Sequence, residues 1–394
     1  MGKNGTGNTQ GISITIDMSN LNDSLSSSLL INLSVLFSKP TGISVYAANL
    51  FPHLQSLNPT LLISPEADCF KQETSGYTCY PVPPGLTPEQ GTKGHLRRLL
   101  WTQLQVPRIY EKLRRRCPPQ ASHLLFSPFP EAPLFTNCRY IVTVHDLIPL
   151  RFPRRGSPLT TYFRYYIPQV LTQAQHILCD SHATAKDITD FYNIPAEKIT
   201  PVLLAYNPKD FRFLDLPTGN YFLYIGRHDP YKNLQRLIEA FVGLLGTDCE
   251  LWIAGPPDGR YTPILQEQVN YLGLTQTIKF LDYVPYDQLP IIINQALALV
   301  FPSLWEGFGL PVLEAMACGT PVITSNISSL PEVAGDAALL VNPYNTNEIT
   351  DAMQAVATDS TLRSHLRALS LKQASQFSWE KTGLATVEVL QRYL

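Results

Sequence analysis

The sequence predicts an α/β protein made of two doubly wound domains facing a cleft. Three observations lead there. Short apolar runs alternate with longer amphipathic stretches along most of the chain, the pattern of parallel strands joined by helices. The alternation stops at Tyr206 to Asn220, a stretch holding Pro208 and Pro217, and then restarts. A chain of 394 residues suits two cores better than one. The expected division is an unstructured lead-in over residues 1–11, a first domain over 12–208, a second over 209–378, and a helix over 379–394 that packs back on the first domain.

The first domain opens with a short alternating strand, Ile12 to Asp17, and a polar loop from Asn22. Leu29 to Phe37 is apolar enough for either strand or helix. A turn at Ser38 to Ile43 feeds a helix running from Val45 to Leu57. Gly42 in that turn is a candidate phosphate-facing position, set against the plainer reading of an ordinary turn. Thr60 to Ile63 is a strand, and residues 64–92 are loop-rich. His95 to Arg116 is a strongly basic helix carrying Arg97, Arg98, Arg114, Arg115 and Arg116. The plain reading is a solvated helix face; the sharper one is a patch for an anionic acceptor or a membrane surface. His123 to Ser127 and Tyr140 to Val144 are buried strands, and the second runs straight into His145-Asp146. In an open parallel sheet ligands sit beyond the carboxyl ends of strands, which places His145 at a crevice edge. After a loop from Pro149 to Pro158, Tyr162 to Gln173 is a helix, His176 to Cys179 a strand, Ala183 to Tyr192 a helix whose face carries Asp187 and Asp190, and Ile199 to Ala205 a strand.

The second domain starts with the strand Tyr221 to Ile225 and a loop carrying Arg227 and Lys232. A helix from Leu234, a strand from Glu250 to Ala254 ending in Gly255, a helix from Thr262, a strand from Ile278 and a helix from Asp287 follow. The apolar strand Leu297 to Phe301 then leads into Glu306-Gly307-Phe308-Gly309. A helix beginning near Pro311 carries Glu314 in its first turn, and Gly319-Thr320-Pro321 ends it. Proline suits the first helical turn, where a missing N–H costs nothing. Val322 to Thr324, Ala338 to Val341 and three closing helices complete the run.

Composition narrows the chemistry. With 44% hydrophobic and 16% charged residues the chain is an ordinary globular protein, and its net charge of −2 speaks against a dedicated nucleic-acid binder. Seven cysteines are scattered without a Cys-x-x-Cys pair, which disfavours a zinc site or disulfide framework and favours a reducing cytosol. No apolar run reaches the ~18 residues of a membrane span. There is no P-loop, no Gly-x-Gly-x-x-Gly after either first strand and no Gly-x-Ser-x-Gly elbow, so kinase, dehydrogenase and serine-hydrolase readings are poor. Arg227 and Lys232, beside a helix N-terminus, form a clamp suited to a diphosphate. No Asp-x-Asp is present, so the expected way of neutralising that diphosphate is cationic side chains, with no metal and no cofactor. The Gly-rich turn favours an anion, whereas its two acids favour hydroxyls, so the ligand is expected to carry both.

These residues together resemble family 4 retaining glycosyltransferases of the GT-B fold, two Rossmann-like domains facing a cleft. The resemblance is carried by Gly226-Arg227 with Lys232-Asn233, by Gly255, by Phe280 to Pro285, by Pro302-Ser303 through Glu314-Ala315, by Gly319 to Val322, and by Leu330-Pro331-Glu332-Val333. The first domain matches more loosely through Thr41-Gly42-Ile43, Thr143 to Pro149 and Ser181. The resemblance implies transfer of a hexose from a nucleotide-diphosphate sugar, of the GDP-mannose or UDP-glucose type, to a hydroxyl of a glycan or lipid-linked acceptor. His145 to Pro149 is similar to bacterial mannosyl- and glucosyltransferases of polysaccharide assembly. By the same resemblance, Arg227 and Lys232 hold the diphosphate and stabilise the leaving group. Glu314 accepts the ribose hydroxyls, and Glu306 binds the sugar near its anomeric centre. The N–H groups of Phe308, Gly309 and Leu310, beside Gly307, touch the donor. Tyr283 and Val284 lie by the base, and His145 meets the sugar from the other domain. The family's first-domain turn usually reads Gly-Gly-Ile-Gly followed by Arg; Thr41-Gly42-Ile43-Ser44-Val45 lacks one glycine and the arginine. That departure favours one alternative, a non-catalytic or regulatory nucleotide-sugar binder; a phosphorylase or epimerase is another, since one fold hosts many chemistries. The expected location is the cytoplasm, at the inner face of a membrane where the basic helix contacts it.

Overall fold

The computed structural model describes residues 28–36, 42–65, 67, 74, 76–115 and 123–394. The expected lead-in, the strand from Ile12 to Asp17, Thr41 and Arg116 lie outside the described residues. Among the described residues, thirteen strands form two sheets. The first sheet contains β1 (Leu29–Leu33), β2 (Thr60–Ile63), β3 (Thr78–Pro81), β4 (Leu124–Ser127), β5 (Tyr140–Val144), β6 (His176–Cys179) and β7 (Ile199–Pro201). The second contains β8 (Tyr221–Ile225), β9 (Glu250–Ala254), β10 (Ile278–Asp282), β11 (Ala298–Phe301), β12 (Val322–Ser325) and β13 (Leu339–Val341). Their orders are β3-β2-β1-β4-β5-β6-β7 and β10-β9-β8-β11-β12-β13, and every pairing is parallel. β1, β4, β5 and β6 are buried at every position, as strands covered on both faces must be.

In each sheet the strand order reverses once, between β1 and β4 and between β8 and β11. Ligands of open parallel sheets sit at that reversal, beyond the carboxyl ends of the strands. The loops after β5, β6, β8, β10 and β11, with the helix that follows β11, supply most of the candidate residues described below.

Proline explains where helices differ from expectation. The helix expected from Val45 to Leu57 is an α-helix over Gly42–Leu50 followed by a 3-10 turn over Phe51–Leu57, which begins beside Pro52. The basic helix is two, Gly91–Leu104 and Val106–Arg114, the second with Pro107 in its first turn. Tyr162 to Gln173 is likewise split into Pro158–Tyr165 and Ile167–Gln173, ahead of Pro168. A proline tolerated in a first turn cannot continue the helix before it. The loop after His145 contains a short helix, Ile148–Arg151, and within the stretch left open between strand and helix, Leu29–Leu33 is a strand. β3 lies inside the stretch expected to be loop.

The basic patch requires correction. Arg98 is buried, and its guanidinium donates to both oxygens of the equally buried Glu131, at 2.9 and 2.8 Å. Arg114 pairs with Glu111 at 3.0 Å. Arg97 and Arg115 are exposed. The same helix leaves Leu96, Leu100 and Leu104 more than half exposed, at the i, i+4, i+8 spacing of one face. Asp187 is also no part of a polar face. It is fully buried and accepts from the Arg151 guanidinium, whose Nε lies 3.0 and 2.9 Å from its two oxygens.

The last helix, Trp379–Gln391, packs against the first sheet's side of the molecule. Thr382 Oγ1 donates to Leu203 O at 2.8 Å, Tyr393 OH lies 3.0 Å from His176 Nδ1, and Gly383 passes so close to His53 that an added Cβ would fall 2.3 Å from its side chain. A continuous buried apolar cluster includes residues of both sheets, with Val202, Leu204, Phe211, Val389 and Leu390 among its members. Among the described residues no helix is long and apolar enough to cross a membrane.

Candidate active site

The loop after β11 is fixed from behind by two serines. Glu306 N donates to Ser328 Oγ at 2.9 Å, and Ser328 Oγ donates back to Glu306 O at 2.7 Å. Ser329 Oγ reaches Phe308 O at 2.7 Å and Glu306 O at 3.0 Å. These bonds satisfy loop carbonyls that the strand ladder no longer engages. Gly309 sits at φ 114°, a left-handed region that favours glycine, and leads into the helix Leu310–Ala317 with no side chain capping its start. Because that helix begins at Leu310, Glu314 stands in its second turn rather than its first. Burial pushes the Glu314 carboxyl up to about 8.

Across the crevice floor, Lys232 Nζ donates to Glu306 Oε1 at 2.7 Å and Oε2 at 2.9 Å. Both partners are largely buried. The Tyr231 and Phe301 rings each lie 5.3 Å from the ammonium. Asn233 holds the Lys232 loop in place: in a left-handed conformation at φ 65°, it donates to Pro302 O at 3.0 Å and Pro343 O at 2.7 Å. Arg227 is exposed, with Nε 3.0 Å from the buried Asp229. Tyr283 is exposed just beyond β10, and Val284 beside it is half-buried against the core.

The facing domain brings His145. Its Nδ1 lies 2.8 Å from Asp180 Oδ2 and its Nε2 lies 2.9 Å from Pro128 O. The Pro128 carbonyl can only accept, so Nε2 carries a proton, and Nδ1 shares a proton with the Asp180 carboxyl. Burial pulls the His145 pKa down, but the Asp180 carboxylate more than offsets it, and the net shift is upward. Asp180 itself is raised, because its own burial outweighs the attraction of the ring. Burial also raises Asp146, and the nearby Glu306 charge adds to that shift. The Tyr46 ring meets His145 edge-on at 4.9 Å. That contact is the visible contribution of the helix begun by Gly42. Gly42 itself has no positive φ and open space around an added Cβ.

The two halves touch through Gly307. An added Cβ there would fall 2.0 Å from His145 O, a backbone atom that cannot yield. Gly307 O accepts from Ser181 Oγ at 2.7 Å and Thr184 Oγ1 at 3.2 Å. Glu332 adds a second bridge: its two oxygens accept from His182 N and Ala183 N, each at 2.8 Å. A carboxylate of one domain thus satisfies the first N–H groups of the helix His182–Tyr192 in the other. Arg154 pairs with Asp229, and Arg151 lies over the Trp305 ring at 3.3 Å.

Two family models match the chain: Glycosyltransferase Family 4 over residues 40–208 and Glycosyl transferases group 1 over residues 207–372. O-antigen chain mannosyltransferase B of Escherichia coli is 33% identical over 264 residues, spanning 63% of this chain and 69% of that protein. O-antigen chain mannosyltransferase RfbU of Salmonella typhimurium is 31% identical over 331 residues, spanning 83% and 90%. The chain belongs to the family 4 glycosyltransferases. The Anabaena HepE structure in complex with UDP and glucose aligns with a TM-score of 0.70 at 16% identity, covering 92% of this chain and 99% of that one. The shared architecture is the GT-B fold.

The glycosyltransferase brings Lys232, Glu306, Gly307 and His145 to one place and leaves Arg227 and Tyr283 at its exposed margins. Asp180, Ser328 and Ser329 went unsingled in the sequence. Asp180 follows the apolar run of β6 directly, as His145 follows β5, so the same strand-end rule points to it. Among the described residues no group of three His, Cys, Asp or Glu side chains is placed to hold a metal ion.

Proposed function

We propose that this glycosyltransferase moves a mannosyl or related hexosyl group from a nucleotide-diphosphate sugar to a glycan hydroxyl, with retention and without a metal. The observation that carries it is the buried Lys232–Glu306 pair at the carboxyl ends of β8 and β11, opposite His145. On donor binding, Lys232 and Arg227 would meet the diphosphate, and Glu306 would turn its oxygens to the sugar hydroxyls. Glu314 would take the ribose, the N–H groups of Phe308, Gly309 and Leu310 the phosphate or sugar, and Tyr283 and Val284 the base. His145, with its ring nitrogens engaged by Asp180 and Pro128, would line the sugar site from the other domain. Fixed cations at the departing phosphate stabilise charge where it develops. The acceptor hydroxyl attacks the anomeric carbon from the leaving-group face; the C–O bond to the diphosphate breaks, and the hydroxyl proton passes to a phosphate oxygen. No protein nucleophile takes part. The mannose preference rests on the two O-antigen mannosyltransferases named above.

The test is a panel of GDP- and UDP-sugars with chelator present, followed by NMR of the product linkage. Expected are nucleotide release, the donor's own anomeric configuration in the product, and a fall in turnover of orders of magnitude in Lys232→Ala. Inverted product, or full loss with EDTA restored by Mg²⁺, overturns the respective part of the reading.

We also propose work at the cytoplasmic face of a membrane, through Leu96, Leu100 and Leu104 on the helix that also exposes Arg97, with the exposed Arg115 at the end of the next helix. The support is the exposed leucine stripe, since apolar residues on a cationic helix suit an anionic interface. Wild type should sediment with anionic vesicles and Leu96→Ser/Leu100→Ser should not; equal sedimentation of the two overturns it.

A further inference from the structure

Glu306 is flanked on both sides by residues that engage the first domain. After it, Gly307 passes close to His145 O, and its carbonyl accepts from Ser181 Oγ and Thr184 Oγ1. Before it, Trp305 lies under Arg151, whose guanidinium carbon is 3.3 Å from the ring centroid. Both flanks lead back to one element of the first domain. Ser181 caps the helix His182–Tyr192, and Asp187, which holds Arg151, stands on that helix.

The Arg151 side chain is fixed before it meets the indole. It leaves the end of the short helix Ile148–Arg151, and its Nε donates to both oxygens of the fully buried Asp187. Phe191, one turn beyond Asp187, has its ring 5.5 Å from the same guanidinium. A guanidinium held in this way presents a flat face, and a flat cation stacks well on the electron-rich face of an indole. The indole is held by that face rather than by its edge. Its Nε1–H is buried with no acceptor among the described residues. On the side away from Glu306, Leu304 N donates to Tyr231 O at 2.7 Å, which joins this turn to the loop carrying Lys232.

We infer that Arg151 and Trp305 are positioning residues for the transfer: their stack, with Gly307 on the other flank, sets the Glu306 carboxylate at the donor sugar only when the first domain is in place. That placement rests on the role proposed above for Glu306. The residues proposed for the nucleotide, Arg227, Tyr283 and Glu314, all belong to the second domain and do not depend on the stack. Nucleotide alone therefore binds whether or not the stack is made, and the sugar end is held only when it is.

The test compares wild type with Trp305→Phe, Trp305→Leu, Arg151→Lys and the double variant Arg151→Lys/Trp305→Leu, each as the full chain. The measurements are kcat for nucleotide release from a nucleotide sugar, and the thermal shifts given by that nucleotide sugar and by its nucleotide alone. Trp305→Leu and Arg151→Lys should each lower kcat by about tenfold or more, and lose the extra shift of the nucleotide sugar while keeping that of the nucleotide. Trp305→Phe, which retains an aromatic face, should recover most of that loss. The double variant should be no slower than the slower single variant, because either change removes the same contact. Trp305→Leu leaves the Arg151–Asp187 pair intact, so it decides the matter where Arg151→Lys does not fold. Wild-type kcat in folded Trp305→Leu overturns the inference, as do losses that multiply in the double variant or a nucleotide shift that falls in step with kcat. Failure of the transfer reading shows separately, as wild type releasing no nucleotide from any nucleotide sugar; the sugar-dependent thermal shift of Trp305→Leu then still tests the stack.

Discussion

At the residue scale, the site is a set of buried charges, some paired and some held by burial alone. Lys232 and Glu306 satisfy one another across a distance of 2.7 Å, which keeps a buried cation and a buried carboxylate both neutralised. Among the described residues Glu314 has no such cation, and burial raises it from an ordinary 4.5 to about 8. Between those values the folded protein holds a proton that the unfolded chain has released. Its contribution to stability therefore falls as pH rises through that window and levels off above it. Hydroxyls that donate to the carboxylate favour its ionised form, so nucleotide binding should release a proton and tighten as pH rises towards about 8. Glu314→Gln should flatten this rise in nucleotide-induced thermal shift; superimposable pH profiles for the two proteins would count against the ribose role. His145 and Asp180 show the limit of reading residues singly. A strand followed by His-Asp marks a crevice, but that Asp180, thirty-five positions on, closes on the ring depends on β5 and β6 being neighbours.

At the scale of elements, the second sheet was the more legible. Its strands are apolar runs cut off by glycine or proline, and each stands within a residue or two of where the pattern puts it. The first sheet hid β3, because Thr78–Pro81 is short, only half-buried and ends in a proline. β3 is an edge strand, a place where a proline leaves the ladder intact. The basic helix was misread for a different reason. Charge in a sequence does not show its partner, and Arg98 finds Glu131 thirty-three residues away. Arg98→Ala leaves the buried Glu131 without its two-pronged partner, with only His95 Nδ1 at 3.5 Å as a neighbouring ion-pair group, so urea denaturation should show a loss of about 3–5 kcal/mol. Arg98→Met/Glu131→Leu, which removes both charges, should recover most of that loss. A single variant as stable as wild type would show that the pair is not structural.

At the scale of the whole molecule, the contacts through Gly307 and Glu332 describe a closed cleft. Its closure shields the reacting centre from water, which otherwise competes with the acceptor. Glu332→Ala removes two cross-domain hydrogen bonds but leaves Ser181 capping its helix, through the bond from Thr184 N at 3.0 Å. The variant should therefore open rather than unfold. Small-angle scattering should show a larger mean radius, and kcat should fall several-fold with little change in nucleotide affinity. Wild-type scattering and turnover in this variant would assign the closed form to other contacts.

The return of the helix Trp379–Gln391 to the first sheet has a consequence for how such enzymes can be recombined. The polypeptide passes between the halves twice, once after β7 and once ahead of Trp379. Two tethers restrict relative motion to rotation about the line joining them, where one would also permit swivelling. They also mean that each half is not one uninterrupted stretch of sequence. A chimera exchanging the nucleotide-side half should take its new segment from the inside of the chain and keep the native tail, whose Val389 and Leu390 are buried. A simple cut after β7 would leave one fragment without its lid and give the other an unmatched greasy appendage.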